Sequence, residues 1–118
     1  HHRLLKHSIR VLTIERSHLP FSNNDLSCFK ELQNQGLILF KLTLSPIWIF
    51  QLFSIIHIIR QRNITVIMAH TLPAGLLWII RFTMGTIFQY RKPIFVSLAK
   101  LLSYNLSDLW SILKTKTW

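Results

Sequence analysis

Acidic residues and cysteine are scarce in this 118-residue sequence. Cys28 is the only cysteine, which excludes an intrachain disulfide and a metal site built from cysteines. A lone cysteine is typical of a reducing compartment, so we expect a cytoplasmic protein, either free or peripheral at a membrane. The 4 carboxylates are scattered along the chain and do not pair readily for general acid–base chemistry.

Glycine is also rare, and this excludes several nucleotide-binding motifs. The 3 glycines form neither a Gly-x-Gly-x-x-Gly pattern nor a phosphate loop with its lysine, and no serine lies in a nucleophile elbow. The 6 histidines include no pair at the helical i, i+4 spacing of metal ligands, and no acid is spaced from them in a way that suggests a His–carboxylate site. We therefore expect no metal, no cofactor and no His–carboxylate site in this chain.

Basic and hydrophobic residues are abundant instead. Lysines and arginines number 14, which gives a formal net charge of +10, and 50% of the residues are hydrophobic. This length and composition support one domain with a buried core. The charge favours anionic partners, namely nucleic acid, a phospholipid surface or phosphorylated ligands. We rank a basic face toward a membrane or solvent above specific nucleic-acid binding.

Short β-branched runs alternate with longer helical patterns along the chain. This alternation predicts one α/β domain with a mostly parallel, Rossmann-like sheet and flanking helices. We expect strands near residues 8–14, 37–42, 64–69 and 94–98, and helices near 25–34, 47–62, 72–88 and 99–113. Asn24 or Asp25 is expected to cap the first helix and Gly36 to end it, while Gly75 is expected to let the third helix approach the sheet closely.

The two predicted helices at 47–62 and 72–88 are apolar enough to be considered as membrane spans. In 47–62 the polar residues form one narrow stripe on an otherwise apolar helix, which is typical of a helix buried in a core or in lipid. Neither this helix nor 72–88 reaches the roughly 20 apolar residues of a good span, and Arg81 would be costly at a bilayer centre. Aromatic and basic residues flank both helices, so peripheral membrane binding stays open.

The candidate site is the turn after the strand at 64–69. His70 and Thr71 end that strand, and ligands of parallel α/β sheets collect beyond the carboxyl ends of strands. His70 could bind a ligand hydroxyl or phosphate, or it could bond a neighbouring backbone carbonyl. Thr71 could bind ligand, although capping of the next helix is the stronger expectation.

Several segments in fixed order resemble one enzyme family. They are VLTIE at 11–15, FKELQNQGL at 29–37, ITVIMAHTLPAGL at 64–76 and RKPIFV at 91–96. Together, over roughly residues 8–98, they are similar to the N-terminal domain of GT-B glycosyltransferases, most of all the retaining "glycosyl transferases group 1" (family 4-like) kind. The likeness implies an incomplete half of a GT-B fold, with His70 and Thr71 on the acceptor side of a cleft.

The departures from this family limit what the chain could do. Met68 stands where the first histidine of the family's turn is usual, and the expected Asp or His with Gly after the last strand is missing. The first strand with its Gly-rich loop and the C-terminal domain that binds the nucleotide-sugar donor are also missing. The resemblance thus implies a fragment, inactive alone, whose full-length form acts on a lipid-linked or polysaccharide acceptor at a membrane surface.

Two other functions fit the same composition. A basic structural protein of an organellar ribosome would explain the charge and would bind nucleic acid. A small subunit of a membrane complex would use the helices at 47–62 and 72–88.

Overall fold

The computed structural model describes residues 9–89 and 93–98. Strands and helices alternate along the chain, which confirms the predicted α/β class through the fourth strand; the helix predicted at 99–113 lies outside the described residues. The strands are β1 (Arg10–Arg16), β2 (Ile38–Leu44), β3 (Val66–Ala69) and β4 (Ile94–Ser97). The helices are α1 (Asn23–Asn34), α2 (Leu52–Gln61) and α3 (Leu76–Phe82).

The four strands form one parallel sheet in the order β2-β1-β3-β4. In the register of the inner strands, Leu12 lies opposite Phe40 on one side and opposite Ile67 on the other. The predicted mostly parallel sheet is therefore confirmed. All four carboxyl ends lie at the same edge, which we call the carboxyl edge.

Each face of the sheet packs against different helices because side chains alternate along every strand. One face joins alternate residues of β1 and β3 to α1, in a cluster of Val11, Val66, Met68, Phe29 and Leu32. The other face packs against both α2 and α3, in a cluster that includes Leu12, Ile14, Ile67, Ile55, Ile59, Leu76 and Ile80. α1 thus covers one face, and α2 and α3 share the other.

Several boundaries differ from the predictions for identifiable reasons. β1 extends to Arg16 and β2 to Leu44 because these two residues pair with each other. The helix predicted at 47–62 divides into a 3₁₀ turn, Trp48–Gln51, and α2. The helix predicted at 72–88 begins only at Leu76 and continues after Phe82 as a π turn, Thr83–Ile87.

The expected helix caps are partly wrong. Ser22 caps α1, and Asp25 is the third helical residue: its carboxylate accepts from the Ser22 N–H while its own N–H donates to the Ser22 hydroxyl. Gly36 follows α1 with φ 109°, as a C-terminal glycine should. Gly75 does not serve close packing, because a Cβ there would meet nothing within 4 Å; it has φ 85° and precedes α3.

Replacing Ser22 by alanine should lower the free energy of unfolding by about 1 kcal/mol, because the Asp25 N–H would lose its acceptor. Urea denaturation measures the change. Ser27→Ala on the exposed side of α1 is the matched control, since it removes the same hydroxyl without touching a cap. Equal losses in the two variants would contradict the capping role of Ser22.

The polar stripe of the second helical segment faces outward. Ser54, His57 and Gln61 are exposed on α2. Gln51 instead ties the turn before α2 to the end of β2, because its amide accepts from the Ser45 N–H and donates to the Thr43 carbonyl. None of the helices within residues 9–89 and 93–98 has the length and apolar character needed to cross a bilayer.

Candidate functional site

The carboxyl edge contains a topological switch point between β1 and β3. The chain leaves β1 through α1 toward β2 on one side, and it leaves β2 through α2 toward β3 on the other side. In open parallel sheets, a crevice opens where successive connections diverge in this way, and ligands bind in it. The residues that follow β1 and β3 are therefore the first candidates for a site.

His70, which follows β3, lies within hydrogen-bonding distance of the Asp25 carboxylate of α1. The His70 Nε2 lies 2.8 Å from the Asp25 Oδ2. The Asp25 side chain is 1% exposed and that of His70 is 34% exposed, so the pair links the buried end of α1 to the surface of the crevice. The capping box at Ser22 fixes the carboxylate in this position, because the same Oδ2 accepts the Ser22 N–H at 3.0 Å.

The Phe21 ring packs beside the His70 imidazole. The Phe21 ring lies 5.7 Å from the His70 ring and 5.0 Å from the Phe29 ring of the core. The Phe21 N–H donates to the Glu15 carboxylate at 2.7 Å, which fixes the loop between β1 and α1. Helix cap, loop and core together limit the orientations of His70.

This arrangement determines what His70 can do chemically. A carboxylate only accepts hydrogen bonds, so Nε2 carries the hydrogen that points to Asp25. In the neutral imidazole, Nδ1 is then a hydrogen-bond acceptor, and it can receive the proton of a ligand hydroxyl. Asp25 is a positioning residue for that nitrogen.

Thr71 and Arg16 form the second half of the site. The Arg16 guanidinium, at the end of β1, donates to the Thr71 hydroxyl at 3.4 Å. Thr71 is exposed and Arg16 is partly exposed. In the part of the chain that the structure describes, no carboxylate pairs with Arg16. Its guanidinium can therefore bind an anionic group, such as a phosphate, beside His70.

The structure places the two predicted site residues side by side but changes their surroundings. His70 bonds a carboxylate, so the expectation that no His–carboxylate pair would form is wrong. Thr71 does not cap α3, because the cap is Gly75, four residues after Thr71, and the helix begins at Leu76. Sequence reasoning missed Arg16 and Asp25, although the Ser22-x-x-Asp25 spacing is a capping-box signal that could have marked Asp25 as an inward-facing carboxylate.

Two other features of the described residues do not compete with this site. No group of three or more His, Cys, Asp or Glu side chains in residues 9–89 and 93–98 could hold a metal ion. A groove of about 310 Å³ lies between α1 and β2, with Lys30 and Lys41 among its lining residues and a mainly apolar surface. None of Arg16, Asp25, His70 and Thr71 lines it.

Comparison with known proteins does not indicate a function for this chain. No family model, no curated protein and no solved structure matches this chain. The parallel sheet and the side chains at its carboxyl edge are therefore the observations that bear on function.

Proposed function

We propose that this chain is the acceptor-side, N-terminal part of a retaining GT-B glycosyltransferase that uses a nucleotide-sugar donor. The observation that supports this most is the position of His70 and Thr71, beside Arg16, at the carboxyl edge between β1 and β3. This edge of a parallel α/β sheet is where ligands bind. The order of the sequence segments that resemble the family supports the same proposal.

In this proposal the site binds an acceptor. The Nδ1 atom of His70 accepts the hydrogen of an acceptor hydroxyl, and Asp25 keeps the imidazole in the required tautomer. Arg16 binds the phosphate of a lipid-linked acceptor or a hydroxyl of a polysaccharide, and Thr71 offers a further hydroxyl. These contacts orient the acceptor but do not break a glycosidic bond.

The donor is bound outside this chain in the proposed enzyme. The sequence contains no Gly-rich phosphate loop, and the resemblance assigns the nucleotide sugar to a C-terminal domain. The two domains would enclose the carboxyl edge, with the acceptor on one wall and the donor on the other. Transfer therefore requires both parts.

A transfer assay tests the proposal. The protein encoded by the complete reading frame is incubated with labelled UDP-glucose or GDP-mannose, together with either a membrane lipid extract or a soluble polysaccharide fraction. We expect labelled sugar in one acceptor fraction, and none when the 118-residue chain is used alone. Absence of transfer from both donors to both fractions would overturn the proposal.

A further inference from the structure

The outer surface of α2 and α3 exposes a group of large aromatic side chains. Phe50 and Phe53 are 81% and 89% exposed, and Trp78 and Phe82 are 69% and 48% exposed. We call these four residues the aromatic face. The rings of Trp78 and Phe82 are stacked, with centroids 5.7 Å apart and planes 9° from parallel. Single exposed apolar residues are common on proteins, but a group of this size on neighbouring elements marks an interaction surface.

The aromatic face belongs to α2, to the 3₁₀ turn with Phe50 just before it, and to α3. α2 and α3 pack on the same side of the sheet through one shared core. Each follows a parallel strand, so each begins near the carboxyl edge and runs back toward the opposite edge. There, the Arg60 guanidinium at the end of α2 lies 4.0 Å from the centre of the Phe88 ring, just beyond α3. The helices are thus neighbours, and their outer surfaces form one side of the molecule.

The described carboxylates and the described arginines lie on opposite sides of the sheet. All of the described carboxylates lie on the α1 side: Asp25 and Glu31 belong to α1, and Glu15 is on the same face of β1 as Val11 and Thr13. All of the described arginines lie on the side of α2 and α3. Arg60, Arg62 and Arg81 belong to these helices or their ends, while Arg10 and Arg16 are on the same face of β1 as Leu12 and Ile14.

We propose that the aromatic face docks onto the surface of an anionic phospholipid bilayer. Trp favours the headgroup region, and Phe and Trp side chains on the apolar side of interfacial helices are buried at the boundary between headgroups and acyl chains. The arginines on the same side are attracted to anionic headgroups, and no described carboxylate on that side opposes this attraction. Apart from Arg16, which also belongs to the acceptor site, the inference uses other residues than that site, and it does not rest on the proposed function.

Vesicle cosedimentation tests this docking with two matched pairs of variants. The wild-type chain should bind vesicles that contain phosphatidylserine and bind vesicles of phosphatidylcholine alone much less. Phe53→Ser should weaken that binding, whereas Leu26→Ser on α1, also an exposed apolar residue, should not. Arg81→Glu should weaken it roughly tenfold or more, whereas Lys30→Glu on α1 makes the same change in net charge and should have little effect.

Four results would overturn the proposal. The wild type could fail to bind either kind of vesicle, or Lys30→Glu could weaken binding as much as Arg81→Glu, which would leave only net charge. A dimer in solution that Phe53→Ser dissociates would assign the face to a second copy. Salt-sensitive RNA binding that depends on Arg81 but not on Phe53, without vesicle binding, would assign it to nucleic acid. Vesicle binding without sugar transfer would keep this inference and overturn only the proposed function.

Discussion

His70→Ala in the protein from the complete reading frame should reduce the rate of sugar transfer roughly tenfold to hundredfold. The substitution removes the Nδ1 acceptor that the proposal assigns to the acceptor hydroxyl. Without Nδ1 the enclosed acceptor hydroxyl has no partner for its hydrogen, and an unsatisfied polar group costs about 1–3 kcal/mol; each 1.4 kcal/mol corresponds to about tenfold in rate. Initial rates measured over a range of acceptor concentrations give kcat/KM, in which the loss should appear.

Two further variants separate this effect from a loss of folding. His57→Ala removes a histidine from the exposed surface of α2 and should leave the rate unchanged. His70→Gln keeps an N–H donor for Asp25 but removes the imidazole, so it should restore stability without restoring transfer. Transfer at the wild-type rate in folded His70→Gln would contradict the role of His70.

Asp25→Ala should lower the free energy of unfolding by about 2–3 kcal/mol, a large part of the stability of a small domain. The carboxylate is 1% exposed, and its Oδ2 accepts from both the Ser22 N–H and the His70 Nε2. Without it, the Ser22 N–H loses its acceptor and the turn after β3 loses its link to α1. Urea denaturation followed by circular dichroism measures the loss.

The matched control for this prediction is Glu31→Ala, which removes an exposed carboxylate from the same helix. It should change the free energy of unfolding by no more than about 0.5 kcal/mol. The buried Asp25 Oδ1 has no hydrogen-bond partner in the described residues. In Asp25→Asn the amide NH₂ would take this position and would be a buried donor without an acceptor, so the variant should recover only part of the loss. An Asp25→Ala variant as stable as Glu31→Ala would show that the His70 pair does not anchor the turn.

The strands and their parallel arrangement could be predicted because buried parallel strands have a simple sequence pattern. All four residues of β3, Val66–Ala69, are buried from both faces, so the sequence there is continuously apolar. Runs of this kind, alternating with helical segments, leave few arrangements other than a parallel sheet. The order of the strands in the sheet was not predicted, and only His70 and Thr71 were predicted at the carboxyl edge, because both depend on which strands become neighbours.

The Asp25–His70 pair shows why the site was predicted only in part. His70 was accessible to sequence reasoning because it ends a recognisable strand. Its partner lies far away in the chain and meets it only because β1 and β3 are adjacent, which brings the start of α1 to the end of β3. Arg16 reaches Thr71 for the same reason, since the two residues extend β1 and β3 at the carboxyl edge.

The start of α3 was mispredicted because apolar composition outweighed local backbone geometry. Leu72 and Pro73 continue the apolar character of the helix, yet Gly75 adopts a positive φ of 85°, which helical residues do not. The helix therefore begins at Leu76, and Thr71 stays in an exposed turn. The capping role predicted for Thr71 came from that error in the boundary, whereas its place in the candidate site was predicted together with that of His70.

Determination of the complete reading frame around residues 1–118 tests the proposed glycosyltransferase most directly. We expect a downstream domain that binds the nucleotide sugar and contains two glutamates separated by seven residues, as the resemblance to GT-B glycosyltransferases implies. A stop codon immediately after Trp118 would contradict it, because the donor side of the cleft would then have no source in this protein.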